Sequence, residues 1–195
     1  MTIYVLNKFQ PNPYPGAIEI DTTSHGQFKE DLSPFYLGPY EWEHPQFGHM
    51  RCEKFENLWQ YSKVYPAHAE PFTNNPTAKF YEWQKAGFAK YRADRYPMGK
   101  GVKPLYSLWN GQRYTYVEAR RVIYIPIYAS LVSKTNTYKE LKKLVSLGGD
   151  VVLRDFDGYD YIGMGRTLDE VIDDPKKKMG HGFVLALLLT TEFGG

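Results

Sequence analysis

Cysteine is nearly missing from this chain: among 195 residues only Cys52 carries a thiol. A lone cysteine excludes an intrachain disulfide framework and any zinc site built on several thiolates, and it fits a reducing compartment. Long apolar runs are missing too. The longest, Phe183 to Leu189, falls far short of the ~20 residues a membrane-spanning helix needs. The opening "MTIYVLNKFQPNPYP" has no basic segment followed by an apolar core, so no secretory signal is expected. The chain is therefore read as cytoplasmic, with no membrane partner. An excess of one charge is absent as well: 24 Lys and Arg stand against 22 Asp and Glu, for a net charge of +2. That balance excludes a histone-like binder driven by bulk charge, while leaving room for a local basic patch. No repeat and no low-complexity tract interrupts the sequence.

Aromatic residues, by contrast, are plentiful: they make up 16% of the chain, with 17 tyrosines, which is material for flat stacking walls. Hydrophobic content of 43% fits one globular domain with a sizeable core. Alternation predicts short strands at 2–7 and 17–21. A helix is expected over 53–65, stopped by Tyr65–Pro66, and another after Asn75–Pro76. Residues 90–112 read as loop, and 113–132 as helix on both sides of Pro126, which should kink the helix or divide it. Thr137 with Glu140 and Thr167 with Glu170 have capping-box spacing. Residues 150–156 read as a buried strand, and "MGHGFVLALLLTT" as a buried helix with a central strand as the competing reading. Elements that mix without regular βαβ alternation predict an α+β fold.

Several constellations carry chemistry. In "KFENLWQYSKVYP" (54–66), Glu56, Trp59, Gln60 and Lys63 recur at i, i+3, i+4 and i+7 and share a helix face. That face is either ordinary solvated surface or one wall of a site. "LRDFDGYDYIGMG" (153–165) sets Asp155, Asp157 and Asp160 at a strand exit, where a rigid sheet can hold acids beside a loop. The plain alternative is Asp157–Gly158 turn chemistry. Tyr116, Arg120, Tyr124 and Tyr128 form an i+4 stripe that either binds a phosphate or a base, or packs with a snorkelling arginine. His181, in "MGHGF", is a candidate base, although no serine or cysteine nucleophile pairs with it in sequence.

The order of these motifs resembles the NADAR (YbiA-like) family. "LSPFYLGP" followed by "FENLWQYSKVY" resembles that family's segment, which is close to Leu-Ser-Asn-Phe-Tyr-Pro, and its helix bearing Glu, an aromatic three residues later, Gln next, and Lys after three more. The positions here are Leu32, Ser33, Phe35 and Tyr36, then Glu56, Trp59, Gln60 and Lys63. The outline continues through residues 32–189. Where the family has Asp near a Trp–Gly pair, this chain reads "FDGYDYIGMG" without the Trp, so the counterpart is either Asp157 or Asp160. The resemblance implies one YbiA-like domain over 1–195, with a small mixed or antiparallel sheet packed against helices. It also implies hydrolysis of an N-ribosidic bond in a phosphoribosyl or ADP-ribosyl compound, free or attached to nucleic acid, without metal or cofactor. Glu56 with Asp157 or Asp160 would be catalytic, and Tyr36, Trp59, Gln60, Lys63, Arg120, Tyr124 and His181 would bind substrate. Two other functions are compatible with the residues. One is a nucleotide-sequestering protein without turnover; the other is a metal-dependent phosphohydrolase using Asp155, Asp157 and Asp160.

Overall fold

The computed structural model describes residues 1–191. Its strands are β1 (Ile3–Asn7), β2 (Ile18–Asp21), β3 (Tyr40–His44), β4 (Gly48–Cys52), β5 (Lys63–Val64), β6 (Tyr106–Trp109), β7 (Gln112–Tyr114) and β8 (Val151–Asp155). Its helices are α1 (Lys29–Leu32), α2 (Phe55–Tyr61), α3 (Ala78–Phe88), α4 (Tyr116–Ala119), α5 (Ile125–Val132), α6 (Asn136–Ser146), α7 (Leu168–Ile172) and α8 (His181–Thr190). The fold is α+β. The expected single sheet is instead three small ones: β1-β8-β2, β3-β4 and β5-β6-β7. The chain divides into two compact units, residues 1–36 with 128–195, and residues 37–127.

In the first unit β8 lies between β1 and β2 and pairs parallel with both. A strand flanked on both edges and covered on its faces has to be apolar, and all five β8 residues are buried. Arg154 is tolerated there because its guanidinium donates to Glu19 Oε2 at 2.7 Å and to the Asn7 and Gln10 carbonyls. Helix α8 packs on β1 and β8. It has no polar face, and eight of its ten residues are buried, as expected of a helix enclosed on all sides. The turn after β8 needs Gly158 for close approach: a Cβ there would stand 2.4 Å from the Leu6 carbonyl oxygen.

In the second unit β3 and β4 form an antiparallel hairpin, and β5, β6 and β7 an antiparallel sheet. The β3-β4 hairpin lies where the sequence shows no aliphatic alternation, β6 lies in the stretch that reads as loop, and β7 takes Arg113 and Tyr114 out of the stretch expected to be helical. Trp42 of β3 stacks on Trp109 of β6 at 4.9 Å, so aromatic packing across strands replaces the alternating aliphatic pattern that announces a sheet. Helix α2 packs on α3, and Gly87 lets the Tyr61 ring settle against α3, since a Cβ there would meet that ring at 2.1 Å. Residues 116–132 are helical as expected, but Arg120–Tyr124 winds as a π-helix. Pro126 has no N–H to offer the preceding turn, so the ladder widens ahead of it and the Ile125 N–H bonds the Arg120 carbonyl. The Thr167–Glu170 capping box is present. At α6 the cap is Thr135, and the Thr137 hydroxyl donates to Asp31 instead.

Candidate functional site

Helix α2 begins after Lys54 and is short because its C-terminal turn is closed by Ser62, whose Oγ donates to the Leu58 carbonyl at 2.6 Å. The chain then turns into β5, so Lys63 sits on a strand and not on a longer helix. Every residue of α2 is buried. The Glu56 face is therefore not a solvated surface: Glu56 is 6% exposed and Gln60 9%.

Burying a carboxylate is unfavourable unless donors meet it. Here the Gln60 Nε2 donates to Glu56 Oε1 at 2.8 Å, and the Lys63 ammonium donates to Gln60 Oε1 at 2.9 Å. This acid–amide–ammonium row lies alongside an aromatic group. Lys63 Nζ stands 4.7 Å from the centre of the Trp59 ring. Trp59 meets Tyr124 edge-on at 5.0 Å and lies 6.4 Å from Tyr116. The fully buried Arg120 lays its guanidinium over the Tyr116 ring at 4.2 Å. The second unit thus brings together Glu56, Trp59, Gln60, Lys63, Tyr116, Arg120 and Tyr124. The π-helix contributes to this grouping, because Arg120 and Tyr124 are its first and last residues.

The remaining predicted residues belong to the first unit. Tyr128, the fourth member of the stripe, donates its hydroxyl to the Leu32 carbonyl at 2.8 Å. Tyr36 lies on the surface beneath the Lys29 ammonium. Asp160 accepts the Tyr14 hydroxyl on both oxygens at 2.7 Å and the Gly163 N–H at 2.8 Å. Burial first, and this hydrogen bond second, push the Tyr14 hydroxyl up to about 12. Asp157 lies 3.8 Å from the Lys178 ammonium.

Asp155 and His181 form a buried pair, with Nδ1 3.2 Å from Oδ2. His181 Nε2 lies 2.8 Å from the Thr22 carbonyl oxygen, which can only accept, so this nitrogen donates to it. Asp155 Oδ2 also accepts the Gly182 N–H at 2.7 Å and so caps the start of α8. The glycines of "MGHGF" are explained by this: a Cβ on Gly180 would stand 2.2 Å from Asp155 Oδ2. Both ring nitrogens of His181 are thus engaged within the protein. Among the described residues no group of three His, Cys, Asp or Glu side chains is placed to hold a metal ion. No helix among them is long and apolar enough to cross a membrane.

Sequence reasoning missed one arrangement. Asn57, fully buried on α2, reaches the segment after α3. Its Nδ2 donates to the Lys90 and Arg92 carbonyls at 3.2 and 3.0 Å, and its Oδ1 accepts the Asp94 N–H at 2.8 Å. One turn on, the Tyr61 hydroxyl donates to Asp94 at 2.6 Å and accepts from Lys90 at 2.9 Å. The i, i+4 spacing of Asn57 and Tyr61 is the signal that could have revealed it. Comparison of the chain with protein-family models, with curated proteins and with solved structures gave no match.

Proposed function

We propose that the chain is an N-glycoside hydrolase acting on a phosphoribosyl or ADP-ribosyl compound, with Glu56 as its catalytic carboxylate. One observation carries the reading. A carboxylate on a fully buried helix is held by an amide–ammonium row beside three aromatic rings and a buried arginine. Such a group destabilises the folded chain relative to an apolar core, and arrangements of this kind concentrate at functional sites.

The chemistry follows from the groups. The C1′–N bond breaks with its electron pair leaving on nitrogen, and the ribose becomes oxocarbenium-like. Glu56 stabilises that positive charge and takes a proton from the water whose oxygen bonds to C1′. The proton then passes to the departing nitrogen or to solvent. Gln60 orients the carboxylate, Trp59 offers a face to a planar base, and Lys63 and Arg120 supply the cations that phosphate oxygens require. The proposal rests on the second unit alone and assigns no step to Asp157 or Asp160.

The test is incubation of the purified protein with ADP-ribosylated and phosphoribosylated nucleobases, followed by chromatography. Release of free base with ribose phosphate or ADP-ribose is expected, and Glu56→Gln should abolish it without altering the thermal midpoint by more than about 3 °C. Ligand that binds yet is recovered unchanged would refute hydrolysis in favour of sequestration. Full turnover in the variant would remove Glu56 from the mechanism.

A further inference from the structure

A slot in the second unit lies between the β3-β4 hairpin, α3 and the turn that joins β6 to β7. Its walls are aromatic. Trp42 stacks on Trp109 at 4.9 Å and meets Phe88 edge-on at 5.7 Å, and Phe47 meets Tyr81 edge-on at 5.3 Å. With its open mouth the slot measures about 360 Å³, of which about 20 Å³ has room for a water-sized group. None of the residues lining it is acidic or basic apart from His44, and burial holds that imidazole below the usual histidine range. His44 Nδ1 also accepts the Gln46 and Phe47 N–H groups at 3.1 and 3.2 Å, which a protonated nitrogen could not do. The lining is therefore uncharged at neutral pH.

Two buried polar atoms of the lining have no hydrogen-bond partner among the described residues. One is the Trp42 Nε1–H, which can only donate; the other is Asn110 Oδ1, which can only accept. A buried donor or acceptor left unmade destabilises the fold, and packing requires neither of them. A phenyl ring at 42 would stack without a donor. The turn at Asn110–Gly111 needs only positive φ, 49° and 79°, which glycine adopts freely. One unmet donor and one unmet acceptor beside the same slot call for a ligand with an acceptor next to a donor, on a flat and uncharged body. The C=O and N–H edge of a lactam ring has this form.

We propose that the slot binds a neutral flat heterocycle by its lactam edge, the carbonyl oxygen accepting from Trp42 Nε1 and the ring N–H donating to Asn110 Oδ1. Aromatic walls favour a flat ligand; the narrow part takes its edge and the mouth takes its body. Neither polar atom touches solvent, so entry displaces Phe47, 46% exposed at the turn between β3 and β4, from its place against Tyr81. The site shares no residue with the Glu56 group and is independent of the hydrolase reading.

The full-length protein is titrated by calorimetry, near neutral pH, with carbostyril (the lactam of quinoline), quinoline and benzoate. All three are flat, but quinoline lacks an N–H and benzoate carries a charge. Carbostyril should bind with a dissociation constant below about 1 mM, at least about tenfold tighter than quinoline, and benzoate should give no heat of binding. Each hydrogen bond is worth roughly fivefold, so Trp42→Phe and Asn110→Gly should each weaken carbostyril binding by about that factor. Asn110→Gly retains the turn and decides the question if Trp42→Phe does not fold. Equal affinity for carbostyril and quinoline overturns the proposal, as does wild-type affinity in Asn110→Gly. Failure of the wild type to bind carbostyril overturns it too; a single ordered water bridging the two atoms in a crystal would then be their partner.

Discussion

Replacing Asn57 with alanine should both destabilise the protein and release the segment after α3. The amide makes three hydrogen bonds to backbone groups of Lys90, Arg92 and Asp94, and none of its surface is exposed. Removing it strands two carbonyls and one N–H, each worth about 1 kcal/mol net. The small cavity left behind adds to this, and partial access of water to the loop groups subtracts from it. The expected loss is about 3 kcal/mol, which for a chain of this size lowers the thermal midpoint by roughly 9 °C. Limited trypsin digestion reports the loop directly, because Lys90, Arg92, Arg95, Lys100 and Lys103 all lie within it. In the wild type the amides around Lys90 and Arg92 are tied down and should resist cleavage. In the variant, cleavage within 90–103 should precede cleavage elsewhere. A midpoint lowered by less than about 2 °C together with an unchanged tryptic pattern would refute the idea that Asn57 organises this segment.

Two further perturbations follow from the structure. Asp155→Asn removes the charge that meets both His181 Nδ1 and the Gly182 N–H; breaking a buried pair of this kind should cost about 3–5 kcal/mol in urea unfolding, and a loss under about 1 kcal/mol would show that the pair is dispensable. Cys52 is buried, and that burial pushes its thiol up to about 12. It should resist a thiol-specific disulfide reagent in the folded protein at pH 8 and react in denaturant. Because the unfolded thiol ionises near 8.5, this group's contribution to stability is fully present below that value. It is lost as pH rises toward 12. Rapid native labelling would contradict the burial.

The readable parts of the fold were those where one local rule dominates. The continuous apolar run Val151–Leu153 announced β8, and Thr167 with Glu170 announced the cap of α7, because each depends on near neighbours alone. The hairpin β3-β4 escaped notice because Trp42 and Tyr40 pack on other rings, Tyr40 and Trp42 at 5.7 Å and Trp42 and Phe88 likewise, so its strands lack the aliphatic alternation that marks a half-buried sheet. The i+7 spacing puts Lys63 on a helix; Ser62 ends that helix first, and a strand returns the ammonium to Gln60. The grouping of Glu56, Trp59 and Gln60 was legible from i, i+3, i+4 spacing, but their burial was not, since the same letters write a wet face equally well. The role of His181 was obscured because Asp155, its partner, lies 26 positions away, and only the sheet brings them together.

The placement of β8 between β1 and β2 also sets an order of events during synthesis. Strands β1 and β2 share no hydrogen-bonded edge with each other; each waits for the same partner, 148 residues further along for the Ile3–Val151 pair. At about 5–20 residues per second, the first two strands leave the ribosome roughly 7–30 s before the strand that joins them. During that interval both have unpaired edges, open to a holding chaperone that recognises extended apolar segments. The segment 37–127, made in between, contains its own hairpins and helix pair and can begin to order before the first unit has its central strand.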